Sequence, residues 1–101
     1  MSQISGDIKK LIHYSKNGIL SKEIAITKNS NITLFCMAKG TAMSEHTSTK
    51  EGLVYVVEGK GIFKLKGKEI KMLPGVFIFM DKKAVHSLKA DENMSFILAL
   101  H

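Results

Sequence analysis

Apolar positions along this chain fall into short runs, and the spacing within the runs changes once. Between Asp7 and Tyr14 the apolar residues Ile8, Leu11 and Ile12 recur at helical spacing, with Asp7 ahead of them as a candidate N-cap. This predicts a short helix or single helical turn packed on the outside of a larger body. After Asn17-Gly18 the period shortens. Ile19–Thr27, Ile32–Ala38, Leu53–Val57, Ile62–Lys66, Ile70–Leu73, Val76–Met80, Ala84–Leu88 and Met94–Leu100 are compact apolar or alternating runs. In Ile62–Lys66 the pair Phe63 and Leu65 alternates with Lys64 and Lys66. Leu53–Val57 is rich in β-branched and aromatic side chains, which suit a pleated, half-buried surface. Short runs of this kind with no long helix between them predict an all-β sandwich or barrel.

The punctuation agrees. Glu58-Gly59-Lys60-Gly61 separates two of the runs, and Lys66-Gly67-Lys68 reads as a tight hairpin in which Gly67 takes positive φ. Pro74-Gly75 marks another turn. The single proline therefore lies outside every predicted strand, where its missing N–H costs no ladder hydrogen bond.

Length and composition narrow the classes. The 101 residues suffice for one domain with one core, and 45% hydrophobic content marks a globular chain. No apolar run approaches the roughly 20 residues of a membrane span. Met1–Asp7 lacks a basic segment followed by an apolar one, and the lone Cys36 has no partner for an internal disulfide. Both fit a cytoplasmic protein. The net charge is +6, which raises nucleic acid as a partner. Against it, all 15 basic residues are Lys; no Arg is present to fork onto phosphate or read a guanine edge, and only Lys9-Lys10 and Lys82-Lys83 are adjacent. The expectation is no nucleic acid and no membrane, with a solvated lysine surface instead.

Two blocks carry the chemistry. The first runs from Gly40 through Ser44-Glu45-His46-Thr47-Ser48 and Glu51-Gly52 to Val54-Tyr55-Val56-Val57-Glu58-Gly59. The second runs from Gly75 through Asp81 and Lys83 to His86 and Ala90. They resemble, in spacing, the two signature motifs of the cupin family, and the likeness extends from about Ile19 to Leu100. The first motif falls on Gly40, His46, Ser48, Gly52 and Gly59 without a gap, and the second on Gly75, Asp81, Lys83, His86 and Ala90. The chain looks most like the small single-domain cupins with a jelly-roll barrel. The resemblance implies a single domain over 1–101, with an N-terminal helical extension at 1–18 and a β-barrel at 19–100.

In that family the motifs place three His and one Glu around a divalent metal in the barrel mouth. Here Ser48 stands at the second His position and Gly52 at the Glu position, while Asp81, Lys83 and Ala90 replace the Pro, Gly and Asn of the second motif. The resemblance thus leaves His46 and His86 as metal ligands, for Zn, Ni, Fe or Mn, or as two histidines that pair with each other, backbone or water. Stable catalytic centres usually have at least three protein ligands. Glu51 could join only if the Thr47–Gly52 loop bulges, since neighbouring strand residues face opposite ways.

The expected ligand pocket takes in Ser48, Gly52, Phe35, Met37 and Phe79. With Met and Phe walls it would favour a small apolar molecule. The leading expectation is a small-ligand-binding protein with weak divalent-metal binding by His46 and His86. The alternative is a metal-dependent enzyme of the oxygenase or isomerase type with a non-standard ligand set. Leu53–Val57 and Val76–Met80 are apolar at both parities, so a homodimer is expected to cover the outer face; if Gly52 and Val54 face inward, Tyr55 faces out.

Overall fold

The computed structural model describes residues 4–101; Met1–Gln3 of the expected helical extension lie outside the described residues. Asp7 caps a single helical turn, α1 (Ile8–Leu11), its side chain accepting a hydrogen bond from the Lys9 amide. Nine strands follow. They are β1 (Ile19–Ile26), β2 (Asn31–Met37), β3 (Ala42–His46), β4 (Gly52–Glu58), β5 (Gly61–Leu65), β6 (Lys68–Met72), β7 (Phe77–Met80), β8 (His86–Ala90) and β9 (Met94–Leu100). Eight correspond to the apolar runs. The ninth, β3, escapes the hydrophobic pattern because four of its five side chains are exposed and only Met43 is half-buried.

The strands make two antiparallel sheets, β1-β2-β9-β4-β7 and β3-β8-β5-β6. This is the all-β jelly-roll architecture. Alternation assigns the faces. In β4, Gly52, Val54 and Val56 are buried while Leu53 and Tyr55 are exposed; in β7, Ile78 and Met80 are buried while Phe77 and Phe79 are exposed. Between the sheets lie Met37, Val54, Val56, Phe63, Met72, Ile78, Met80, Leu88, Met94 and Phe96. Each large apolar side chain fully buried there contributes about 1.5–3 kcal/mol relative to exposure.

The turns carry the backbone strain that the glycines relieve. Lys66 and Gly67 both have positive φ, the signature of a two-residue type I′ hairpin. At Leu73-Pro74-Gly75-Val76 the Val76 amide bonds to the Leu73 carbonyl (2.9 Å) and Gly75 has φ +91°, as a type II turn demands. The same turn recurs at Asp81-Lys82-Lys83-Ala84, closed by the Ala84 amide on the Asp81 carbonyl, but here the left-handed position is held by Lys83 at φ +62°.

The N-terminal segment lies against the outer face of the larger sheet. Leu11 and His13 share an apolar cleft with Leu20, Leu34 and Cys36. Tyr14 donates to a Glu58 carboxylate oxygen at 2.8 Å. Burial pushes the Tyr14 phenol up to about 12; the Ser95 hydroxyl acts the other way, and the Glu58 carboxylate adds to the rise. Cys36 is a buried residue of this outer face and points away from the space between the sheets.

Candidate functional site

His46 ends β3 and His86 begins β8, and the ladder sets them directly opposite each other. Their rings meet edge to face, with centroids 4.1 Å apart. The His86 ring also lies parallel to Phe63 at 5.7 Å. His86 is buried and His46 is exposed, so the pair sits at the rim of the space between the sheets.

Backbone carbonyls fix the tautomer of both rings. His46 Nδ1 is 2.7 Å from the Ser44 oxygen, and His86 Nδ1 is 2.9 Å from the Ala84 oxygen. A carbonyl oxygen can only accept, so each Nδ1 carries the proton. Each neutral ring is left with the Nε2 lone pair free, which is how metal-binding histidines are commonly oriented. Burial lowers the pKa of His86; the Ala84 carbonyl opposes this and the neighbouring His46 adds to it. His86 is therefore biased toward the neutral, electron-donating form.

The loops that carry the two histidines are tied together. The Lys83 amide donates to the Ser48 carbonyl at 2.7 Å. Ser48 itself is turned to local work, its Oγ accepting from the Lys50 amide at 3.1 Å. Gly52 is buried at the head of β4, opposite Met80 of β7. A Cβ there would come 2.8 Å from Leu100 Cδ2, 3.0 Å from Met80 Cε and 3.5 Å from Leu98 Cδ1. The space in which a carboxylate side chain would begin is occupied by apolar side chains.

A cavity of about 70 Å³ adjoins the pair, lined by Phe35, Met43, Phe63, Met80, His46 and His86 among others. Of the pocket residues expected from sequence, Phe35 lies on this cavity and Gly52 borders it through Met80 and Leu98. Met37 is fully buried but fills the core elsewhere. Phe79 is corrected: it is half exposed on the opposite face of β7, because its neighbour Met80 is the one that pairs with Gly52 and points inward. Ser48 lies in the loop beyond β3, outside the lining. Met43 and Met80 also line the cavity, though neither was expected there from sequence: Met80 falls in the predicted run Val76–Met80, and Met43 falls in none. The parity of Met80 relative to Gly52 was the available signal.

Among the described residues no three His, Cys, Asp or Glu side chains converge. Glu51 contributes its carbonyl to the His101 amide (3.1 Å) and does not join the histidines. A larger groove, of about 490 Å³, runs over the outside of the smaller sheet between Glu45, Lys64, Glu69 and Lys89, away from the pair.

The profile of the cupin domain matches residues 33–100. The chain belongs to the cupin family. This cupin is 28% identical over 96 residues to an uncharacterised protein of Aquifex aeolicus, covering 93% of the chain and 79% of that relative. It superposes on a conserved protein of unknown function from Streptococcus pyogenes with a TM-score of 0.89 at 21% identity, covering 99% of this chain and 94% of the other. An RmlC-like cupin from Desulfovibrio desulfuricans gives 0.87 at 18% identity, covering 98% and 96%. These likenesses establish the fold. No helix among the described residues is long and apolar enough to cross a membrane.

The family's centre of three His and one Glu does not fit here. Two of its four positions lack the donor, and apolar side-chain ends of Leu100 and Met80 lie where a side chain at Gly52 would begin. What does fit is a smaller donor set built on the two free Nε2 atoms.

Proposed function

We propose that this cupin is a binding protein that holds a transition-metal ion at His46 and His86, with the remaining coordination open to solvent or a very small ligand. The observation that carries this reading is the matched pair of Nδ1–H···O=C contacts, which leaves the Nε2 lone pair free on both of two rings whose centroids are 4.1 Å apart. With two protein imidazoles and no carboxylate, affinity for Zn, Ni, Fe or Mn is expected to fall below that of a three-ligand centre. The small apolar ligand expected from sequence is bounded in size. The cavity of about 70 Å³ is less than half of the roughly 150 Å³ that admits benzene. Calorimetric titration of the metal-free protein with Zn(II) and Ni(II) tests the reading. One ion per chain is expected, lost in His46→Ala and in His86→Ala. Binding that survives both substitutions, or no binding at all, refutes it.

We also propose that a second copy of the chain covers the outer face of β4 and β7. Leu53 pairs with Phe79 and Tyr55 with Phe77, and all four are exposed. In a chain with 15 lysines this patch carries no charge, so its partner must be apolar, and the same patch related by a two-fold axis meets that need. Sedimentation equilibrium should give a dimer that Tyr55→Lys with Phe77→Lys converts to a folded monomer. A monomeric native protein overturns the proposal.

A further inference from the structure

We infer that the ion this site selects is copper(I), with Met80 and Met43 supplying thioether sulfur beside the imidazole nitrogens of His46 and His86. The inference rests on the reading of the histidine pair as a metal site and specifies its chemistry.

Three observations converge on a soft monovalent ion. First, the two methionines border the same small cavity as the two histidines. Thioether sulfur is a soft donor that favours Cu(I) and adds little for Zn(II), Ni(II) or Mn(II). Second, Met80 is one of the side chains that close over Gly52, the position at which the family motif carries Glu. Its terminal methyl is 3.0 Å from where a Cβ would stand there, beside Leu100 at 2.8 Å, so this part of the rim presents a thioether and no carboxylate. Third, every donor available in the cavity is neutral. No carboxylate or thiolate converges on the histidines among the described residues, and the other walls are Phe35, Phe63, Phe96 and aliphatic side chains. Holding an ion in such surroundings costs more as its charge rises, because nothing in the site compensates it. A divalent ion would retain both charges beside apolar walls; Cu(I) would bring one. The tautomers add to this, since both rings are fixed with Nε2 as a lone-pair donor.

The test is an anaerobic titration of metal-free protein with Cu(I) against a chromogenic chelator, with Zn(II) and Ni(II) measured in parallel. One Cu(I) per chain is expected, bound more tightly than either divalent ion, with sulfur in the copper X-ray absorption spectrum. Met80→Leu and Met43→Leu conserve volume, so the fold should be retained. Each is expected to weaken Cu(I) by about tenfold or more, the scale on which even outer partners of metal ligands act. Zn(II) affinity should be unchanged in both. Cys36→Ser controls for the thiol on the other face of β2 and should leave Cu(I) binding intact. Zn(II) binding through the histidines without a preference for Cu(I), or Cu(I) binding indifferent to both methionines, overturns this inference alone. Loss of Cu(I) binding in Cys36→Ser also overturns it. Absence of any histidine-dependent metal binding overturns the underlying metal-site reading as well.

Discussion

Replacing Lys83 with glycine should stabilise the protein, although it removes a side chain. Lys83 occupies the third position of a type II turn with φ +62°, where its counterpart in the neighbouring turn is Gly75 at +91°. An L-residue held in the left-handed region costs roughly 1–2 kcal/mol. Glycine relieves that cost and forfeits about 0.4–1 kcal/mol through the greater freedom of its unfolded chain. The Lys83 side chain is exposed, and the 2.7 Å bond from its amide to the Ser48 carbonyl does not depend on it. The net expectation is a gain of about 0.5–1 kcal/mol, or roughly 2–8 °C in Tm for a domain of this size. Urea and thermal unfolding followed by circular dichroism measure it. Lys82→Gly is the matched control, since Lys82 is also exposed but has no positive φ; it should lose stability by about 0.5–1 kcal/mol. If Lys83→Gly is no more stable than the parent, the strain assigned to this turn is absent.

Three further outcomes follow from the same geometry. Burial holds the His86 pKa below its ordinary value of 6.5, so the folded state favours the neutral ring; stability from this group is present above 6.5 and declines as pH falls below it. Urea midpoints at pH 7.5 and pH 5 should therefore differ less in His86→Gln than in the parent. Tyr14→Phe removes the 2.8 Å bond to Glu58 and should cost about 1–2 kcal/mol in the urea midpoint. Because the Tyr14 pKa is raised from 10.0 to about 12, the parent should lose stability as pH rises through that interval, and Tyr14→Phe should not share that loss. Gly59→Ala places a Cβ 2.1 Å from the Asn93 carbonyl oxygen and 2.5 Å from Met94 Cα at φ +92°; a loss of more than about 3 kcal/mol is expected, read as a failure of soluble expression or a collapse of Tm.

The strands were legible wherever burial imposed alternation, and the turns wherever a special φ required glycine. Gly67 takes the positive φ expected of its hairpin, and Gly59 and Gly75, read only as turn residues, take it as well. β3 was not legible from hydrophobicity, because an edge strand with one half-buried residue leaves almost no periodic trace. Lys83 shows the reverse limit: a residue that disfavours the left-handed region holds it because the surrounding loop over-determines it. At the site, the spacing located His46 and His86, and the ladder brings them together. Phe79 was misplaced because a run apolar at both parities, Phe77-Ile78-Phe79-Met80, does not reveal which face is inward. Only its register against Gly52 decides that.

The side chains over Gly52 also leave the altered site open to change. A Cβ at that position would meet only the ends of flexible side chains, Leu100 Cδ2 at 2.8 Å, Met80 Cε at 3.0 Å and Leu98 Cδ1 at 3.5 Å, and no backbone atom. Gly52 is not among the glycines with positive φ, so a side chain there strains no backbone. Those ends can turn aside, and Leu100 is only half-buried. A carboxylate-bearing rim is therefore one substitution away for this barrel, with the sheets and the histidine pair already in place to receive it.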